Sequence, residues 1–244
     1  MKKLLIMLLL CVLAGCSVVK PEEPITITEN SALSGKVICI DPGHGITSRR
    51  GKEPVHPAKS EEKATNVVGA SGLIITEEAL NLEVSLKLKA ALEEKGAVVY
   101  ITRQTHESDM SNIERAEFAN ERCCDISVRL HADGSENKTV SGISILVPSE
   151  KSVSEGYLTS EITEKSRRSA ELILTEVCKL TGAENRGIIA RADLTGFNWS
   201  AVPAVLLEIG FLSNQAEEEK LVTAKYQALI AEGIVSGLEK YFIE

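Results

Sequence analysis

The chain has 244 residues, of which 43% are apolar, and its formal net charge at pH 7 is −8. This length and composition are typical of one well-packed globular domain, and they exclude fibrous and disordered chains. The charge argues against a nucleic-acid partner, because phosphate contacts require clustered Lys and Arg side chains and no such basic face stands out in the sequence.

The first residues predict an export signal. Lys2 and Lys3 precede an apolar run over 4–13, which is too short to span a bilayer and is followed by small residues. The sequence Leu-Ala-Gly-Cys ending at Cys16 resembles a bacterial lipobox, in which cleavage before the cysteine leaves a thiol that is acylated. We therefore expect a signal peptide over 1–15 and a membrane anchor on Cys16. The alternative is an ordinary signal peptide in which Cys16 is incidental.

The segment 16–33 is rich in Pro, Glu, Thr and Ser and lacks hydrophobic periodicity. It is predicted to be a tether between the lipidated cysteine and one folded domain over 34–244. The protein would then be extracytoplasmic and held at a membrane surface. The sequence does not distinguish a plasma membrane from an outer membrane.

The folded domain shows strands that alternate with helices. Apolar runs of strand length occur at 37–40, 97–102, 125–130, 142–147, 187–190 and 204–209. Helical patterns occur at 77–95, 111–122, 162–180 and 226–241. This alternation predicts a single three-layer α/β domain, in which helices flank a twisted, largely parallel (mixed) sheet of about six strands. In such sheets the functional site lies at the carboxyl ends of the strands.

Two of these helices have specific signals. The segment 77–95 alternates apolar and polar residues as a strand would, but its length, its content of helix-forming residues and Gly96 as a stop favour a helix. Ser111 with Glu114 three residues later predicts a capping box at the start of the next helix.

The cysteines of the domain do not resemble a disulfide framework. Cys39 lies in an apolar strand and Cys178 on the apolar side of a helix, so both are predicted to be buried thiols. A disulfide that joins Cys178 to Cys123 or Cys124 stays open, because the sequence does not select a pairing.

Two histidines follow predicted strands and are candidate metal ligands. His44 lies in the turn Asp-Pro-Gly-His-Gly after the first strand, where proline and glycine favour a tight turn close to a bound ion. His131 closes the apolar run at 125–130 in the same way. For His44, a hydrogen bond to a neighbouring group is an equally good explanation.

Glu77 is the candidate third ligand. It opens the first long helix on the side of Val84 and Leu88, which faces the sheet. Two imidazoles and one carboxylate suit zinc, and three protein ligands leave a fourth position for water, as in catalytic sites. The alternative is a carboxylate that complements the helix dipole, a role for which Glu78 serves equally well.

Glu208 is the candidate catalytic residue. It lies near the end of the most apolar strand, where desolvation raises the pKa of a carboxyl group toward the range that a general base or acid needs. The alternative is a structural carboxylate paired with Arg103 or Arg115.

Together these motifs resemble the zinc-dependent N-acetylmuramoyl-L-alanine amidases, the cell-wall hydrolases that include autolysins and spore-lysis enzymes. The resemblance runs from about residue 36 to 241, and its matching segments are 37–45, 77–82, 102–103, 114–116, 119–120, 130–133 and 203–214. It implies one zinc ion held by His44, Glu77 and His131, with Glu208 as the catalytic residue. It also implies cleavage of the amide between N-acetylmuramic acid and L-alanine in peptidoglycan.

Two other functions stay open. One is a zinc peptidase or deacylase that acts on cell-wall material, and the other is an inactive peptidoglycan-binding lipoprotein. We expect no separate wall-binding module after the last helix, and the sequence does not show whether an activator protein exists.

The chain departs from the family pattern in two places. His44 and Glu77 are 33 positions apart, which is longer than in compact members, and the segment between them carries several basic residues. We interpret this segment, 46–76, as a surface loop over the cleft, with a solvated and partly mobile loop as the alternative. Asp133 stands where asparagine is common in the family.

Overall fold

The computed structural model of the protein describes residues 31–243, so Cys16, the predicted signal peptide and most of the predicted tether lie outside the described residues. The strands are β1 (Val37–Pro42), β2 (Lys52–Pro54), β3 (Glu62–Ala64), β4 (Val98–Ile101), β5 (Ile126–Asp133), β6 (Ile143–Pro148), β7 (Asn185–Arg191) and β8 (Ala204–Phe211). The helices are α1 (Glu77–Glu94), α2 (Asn112–Glu121), α3 (Glu150–Ser154), α4 (Ser160–Thr181), α5 (Thr195–Asn198), α6 (Gln215–Leu221) and α7 (Ala224–Ile243).

The central sheet has six strands in the order β4-β1-β5-β8-β6-β7. The first four of these are parallel to one another, whereas β6 runs antiparallel to β8 and β7 runs parallel to β6. This confirms the predicted α/β fold with a mixed sheet. Because β1, β5 and β8 are parallel neighbours, their carboxyl ends meet at one edge of the sheet.

The main core covers one face of the sheet. Alternate residues of β5 (Ile126, Val128 and Leu130) belong there to one buried cluster with residues of helices α1, α4 and α7, and α1 contacts β5 directly. Because strand side chains alternate between the two faces, Arg129 and His131 lie on the opposite face. That face carries smaller apolar clusters together with α2 and α5.

The sequence signals at the helix ends are confirmed. Helix α1 begins at Glu77, and its Leu80, Val84 and Leu88 are fully buried, so burial along one face of a helix explains the leucine pattern. Ser111 and Glu114 form the predicted capping box. Helix α4 ends at Gly182, whose φ of 68° is the left-handed conformation that glycine adopts most easily.

The segment 46–76 contains short secondary structure and is attached to the domain at several points, although most of its residues are exposed. Its strands β2 and β3 form an antiparallel hairpin. Trp199 donates a hydrogen bond from Nε1 to the Pro54 carbonyl at 3.1 Å, and the buried Glu53 carboxylate accepts the backbone N–H groups of Asn112 and Ile113. The hairpin therefore contacts the end of α5 and the start of α2 on the site side of the sheet.

Four cysteines of the described range are free thiols: Cys39, Cys123, Cys124 and Cys178. Cys39 and Cys124 are buried in one small cluster, whereas Cys178 is half-buried, so the structure places none of them in a disulfide.

Leu33 is fully buried in the main core, so the packed domain includes this residue just before the predicted boundary. Between residues 31 and 243, none of the helices combines the length and the apolarity that crossing a membrane requires.

Candidate metal centre

The three predicted ligands converge at the carboxyl edge of the sheet. His44 Nε2 and His131 Nδ1 each lie 3.0 Å from Glu77 Oε1. Ligand atoms of all three side chains lie within 4.8 Å of one another, which is close enough to hold one metal ion. His44 follows β1, His131 lies near the end of β5, and Glu77 opens α1.

The turn that carries His44 is held by two buried arginines. Arg115 donates from Nη2 to the His44 carbonyl at 2.7 Å, and Arg103 donates from Nη2 to the Gly43 carbonyl at 2.9 Å. His44 itself has a φ of 60°, in the left-handed region that residues other than glycine rarely occupy. A strained conformation of this kind persists when several surrounding contacts hold it in place. The two guanidinium groups provide those contacts.

Glycine is required at two places beside the ligands. A Cβ on Gly43 would lie 2.4 Å from the His131 ring, and a Cβ on Gly69 would lie 2.6 Å from Glu77 Oε2. Both distances are far below van der Waals contact. Gly43 therefore lets the His131 ring lie against the first turn. This contact explains why position 43 is glycine more directly than the predicted approach of the turn to a bound ion does.

Backbone groups orient the ligands. His44 Nδ1 donates a hydrogen bond to the Val67 carbonyl at 2.8 Å, so in the neutral ring this tautomer leaves Nε2 as the nitrogen that could bind a metal ion. The other Glu77 oxygen, Oε2, accepts the Ala70 N–H at 2.6 Å, and Oε1 accepts the Ala132 N–H at 3.2 Å. Val67 and Ala70 were missed in the sequence because backbone contacts leave no signal in residue identity.

The three side chains have shifted pKa values. Burial by itself lowers the pKa of His44, but its hydrogen bond with Glu77 and the charge of that carboxylate outweigh burial and raise this pKa. Burial by itself raises the pKa of Glu77, but hydrogen bonds with His131 and His44 outweigh it and hold that pKa below its usual range. Burial lowers the pKa of His131, which favours the neutral imidazole that a metal ligand requires. Within the described residues, buried His131 Nε2 has no hydrogen-bond partner, and such a polar atom calls for a ligand or water. The donor set and its surroundings therefore fit a zinc ion.

Glu208 lies beside this cluster. It is in register with His131 on the neighbouring parallel strand, and its Oε2 is buried with no hydrogen-bond partner among the described residues. Burial raises the pKa of Glu208 well above its usual range, and the negative charges of Glu77 and Asp133 raise it further. A carboxyl group with a raised pKa next to a metal site is typical of proton-transfer residues.

The alternative pairing of Glu208 with Arg103 or Arg115 is not what the structure shows. Both guanidinium groups bond to the β1 turn: Arg103 donates to the carbonyls of Pro42 and Gly43, and Arg115 pairs with Asp41. Sequence reasoning missed Asp41 as part of the site. An acidic residue in an apolar strand was a usable signal, because a buried carboxylate requires a partner.

Several cavities are lined by the histidine ligands. One of about 140 Å³ is lined by both His44 and His131. Another of about 370 Å³ lies beside His131 and is lined in part by Lys63 of the hairpin and Arg129 of β5. Lys63 and Ala64 of β3 line the second cavity, so this part of the 46–76 segment lies beside His131, and its place over a substrate cleft stays a prediction.

A family model described as N-acetylmuramoyl-L-alanine amidase matches residues 38–240. The chain belongs to this amidase family. The germination-specific N-acetylmuramoyl-L-alanine amidase of Bacillus subtilis is 28% identical over 221 residues, which cover 87% of this chain and 82% of that one. The amidase LytC of the same organism is 26% identical over 85% of this chain, but the match spans only 36% of LytC, so that relative is much longer.

Solved structures agree with the family. An N-acetylmuramoyl-L-alanine amidase from Clostridium difficile 630 superposes with a TM-score of 0.69 at 26% identity, covering 86% of this amidase and 98% of that chain. CwlD from Clostridioides difficile, solved in complex with the GerS lipoprotein, superposes with a TM-score of 0.67 at 24% identity, covering 85% and 98% of the two chains, and shows the shared fold. These comparisons confirm the predicted family and enzyme class: the chain is a peptidoglycan amidase.

Proposed function

We propose that this amidase is zinc-dependent and hydrolyses the amide between N-acetylmuramic acid and the L-alanine of the stem peptide. The observation that carries the proposal is the convergence of His44, Glu77 and His131, with Glu208 in register beside His131. A zinc ion bound there would polarise the scissile carbonyl and lower the pKa of a water molecule.

The side chains of the site supply orientation and proton transfer. The Val67 carbonyl keeps His44 in the tautomer whose Nε2 faces the site, and the Ala70 and Ala132 N–H groups hold the Glu77 carboxylate. Glu208 takes a proton from the water that attacks the amide carbon and passes it to the departing L-alanine nitrogen. Its raised pKa suits both steps, because the same group must accept and then release a proton near neutral pH.

We further propose that the enzyme works outside the cytoplasm, on cell-wall peptidoglycan. A signal peptide over 1–15, lipid on Cys16 and a tether over 16–33 would hold the catalytic domain over 34–244 at a membrane surface. Relatives named as cell-wall amidases support this location. The complex of CwlD with the GerS lipoprotein makes an accessory lipoprotein a further candidate partner.

The test is digestion of purified peptidoglycan by the zinc-loaded protein, with released fragments identified by mass spectrometry. Intact stem peptides with free L-alanine amino termini are expected. Glu208→Gln should keep its zinc by elemental analysis and lose at least about 10²-fold in rate, the usual contribution of a general base. Glu219→Gln removes the same charge at an exposed position of α6 and should keep full activity.

Other products would assign another function. Cleavage between amino acids would favour a peptidase, and deacetylated sugar would favour a deacylase. Absence of release by protein with bound zinc would favour a peptidoglycan-binding role. Retained activity in Glu208→Gln would remove Glu208 from the mechanism.

A further inference from the structure

We propose that Glu218 is a positioning residue for the metal centre and acts through the segment 67–75. This inference rests on the proposed function, because it concerns how the proposed zinc ligands are held. Glu218 lies on α6, after the last strand, and is far from all three ligands in the sequence. It contacts the segment that supports two of them.

The Glu218 carboxylate is a buried anchor for backbone N–H groups. Its Oε2 accepts the Leu73 N–H at 2.9 Å, and its Oε1 accepts the N–H groups of Ile74 and Ile75 at 2.6 Å and 3.0 Å. The side chain is only 1% exposed. Hydrogen bonds to a carboxylate are stronger than neutral ones, and three from consecutive residues fix both the position and the direction of this turn.

The other end of the same segment contacts the ligands. The Val67 carbonyl bonds to His44 Nδ1, and Ala70 bonds to Glu77 twice: its N–H donates to Glu77 Oε2 at 2.6 Å and its carbonyl accepts the Glu77 N–H at 2.9 Å. A displacement of this segment would therefore break two restraints together. One is the hydrogen bond that fixes the tautomer of His44, and the other is the bond that holds the carboxylate of Glu77.

Close packing leaves the segment little freedom between its two attachments. A Cβ on Gly69 would lie 2.6 Å from Glu77 Oε2, and a Cβ on Gly72 would lie 1.9 Å from Glu218 Oε1. The backbone of the segment thus lies directly against a ligand at one glycine and against the anchor at the other.

Burial of apolar side chains does little to hold this segment. Val67, Val68, Leu73 and Ile74 are 64%, 86%, 84% and 61% exposed, respectively. Ala70 and Ile75 are the members that pack against the main core. The bonds to Glu218 are therefore a main restraint on the turn, and their loss should loosen the contacts at Val67 and Ala70.

The test is the zinc dissociation constant of Glu218→Gln, measured by competition with a chromophoric chelator in otherwise intact protein. Loss of groups that orient metal ligands weakens metal binding by about 10–100-fold, and this range is expected here. Gly72→Ala should give a loss of the same kind, because its methyl group would displace the Glu218 carboxylate from the turn. This second variant keeps the test available if Glu218→Gln does not fold.

Glu217→Gln is the matched control. Glu217 is also buried on α6, and its carboxylate accepts the N–H groups of Gly142 and Phe211, each at 2.9 Å. Its substitution should lower stability while leaving the zinc dissociation constant unchanged. Glu219→Gln, at an exposed position of the same helix, should change neither quantity.

The outcomes separate this inference from the proposed function. If the unsubstituted protein binds zinc and Glu218→Gln binds it equally well, Glu218 has no positioning role and the proposed function stands. Equal weakening in Glu217→Gln and Glu218→Gln would show a general loss of stability and would also overturn the inference. Failure of the unsubstituted protein to bind zinc would overturn the proposed zinc site, and this inference with it.

Discussion

Asp41 carries a negative charge that the domain buries behind the turn that carries His44. Arg115 Nη1 lies 2.6 Å from Asp41 Oδ1, Arg129 Nε lies 2.8 Å from Oδ2, and Thr102 donates to Oδ1 at 2.6 Å. Burial by itself would raise the pKa of Asp41, but the two guanidinium groups hold it well below its usual range. Arg115 also bonds to the His44 carbonyl, so this buried cluster is continuous with the candidate metal site.

We predict that Asp41→Asn destabilises the protein by about 3–5 kcal/mol at pH 7, because it leaves two buried guanidinium groups without their carboxylate. The folded pKa is lower than the unfolded one, so the stabilisation by Asp41 is fully present above the unfolded value of about 3.9 and is lost as pH falls below it. Urea unfolding between pH 7 and pH 3 should show a smaller acid dependence in the variant.

The control for this substitution is Asp109→Asn, which removes a carboxylate at an exposed position. Exposed ion pairs and hydrogen bonds contribute about 0–1 kcal/mol, so its effect should be small. A loss below about 1 kcal/mol in Asp41→Asn would contradict the role assigned to Asp41.

At the scale of the secondary-structure elements, the β2–β3 hairpin was not predictable from the pattern. Both strands have three residues, and their sequences, Lys-Glu-Pro and Glu-Lys-Ala, lack the apolar alternation that identifies a strand. What orders the hairpin is contact with distant elements, such as the bond from Trp199 to Pro54 and the bonds from the N-terminus of α2 to Glu53.

We predict that Glu53→Ala destabilises the domain by about 1–3 kcal/mol, because two backbone N–H groups at the start of α2 lose a buried acceptor. Chemical denaturation gives the free energy of unfolding. Limited proteolysis should show faster cleavage within 46–66, because the hairpin loses its attachment to α2. Glu62→Ala, an exposed residue of β3, is the control, and equal effects of the two substitutions would contradict the prediction.

At the scale of the whole molecule, the candidate metal site and the main core lie on different parts of the sheet. The core packs between the sheet and helices α1, α4 and α7, whereas the ligands meet at the carboxyl edge of the strands. The domain should therefore stay folded without metal, and zinc should add stability through binding to the folded state alone.

We predict that zinc at 100 times its dissociation constant raises the melting temperature by about 5–11 °C. Binding of this strength stabilises the folded state by about 2.7 kcal/mol, and each kcal/mol shifts the melting temperature of a domain of this size by about 2–4 °C. Differential scanning calorimetry with zinc and then with a chelator measures the shift. His44→Ala should abolish it, and complete unfolding by the chelator would show instead that the metal is structural.

Much of the fold was predictable because its signals are local. The apolar runs predicted the strands of the central sheet, and the capping box at Ser111 marked the start of α2. Short helices such as α3 and α5 were not predicted, because four or five residues do not complete an apolar stripe. For the cysteines, the sequence left a disulfide open, and free thiols are what the structure shows.

Part of the candidate site was likewise predictable from local signals in the sequence, and part was not. His44 and His131 could be selected from the sequence because each follows an apolar strand, and parallel strands bring their carboxyl ends to one edge. The supporting groups could not be selected. The sequence offered Arg103 and Arg115 only as partners of Glu208, whereas both bond to the first turn, a destination that local pattern does not reveal.

The sequence by itself thus determined the strands of the central sheet, the long helices and the side chains that meet at the carboxyl edge, since periodicity and turn chemistry depend on near neighbours along the chain. Tertiary structure alone decided which partner each buried polar group found. Glu218 meets Leu73 across 145 positions, and the Val67 carbonyl meets His44 through the path of a packed segment. These pairings depend on how the elements pack in space, which no local pattern of residues encodes.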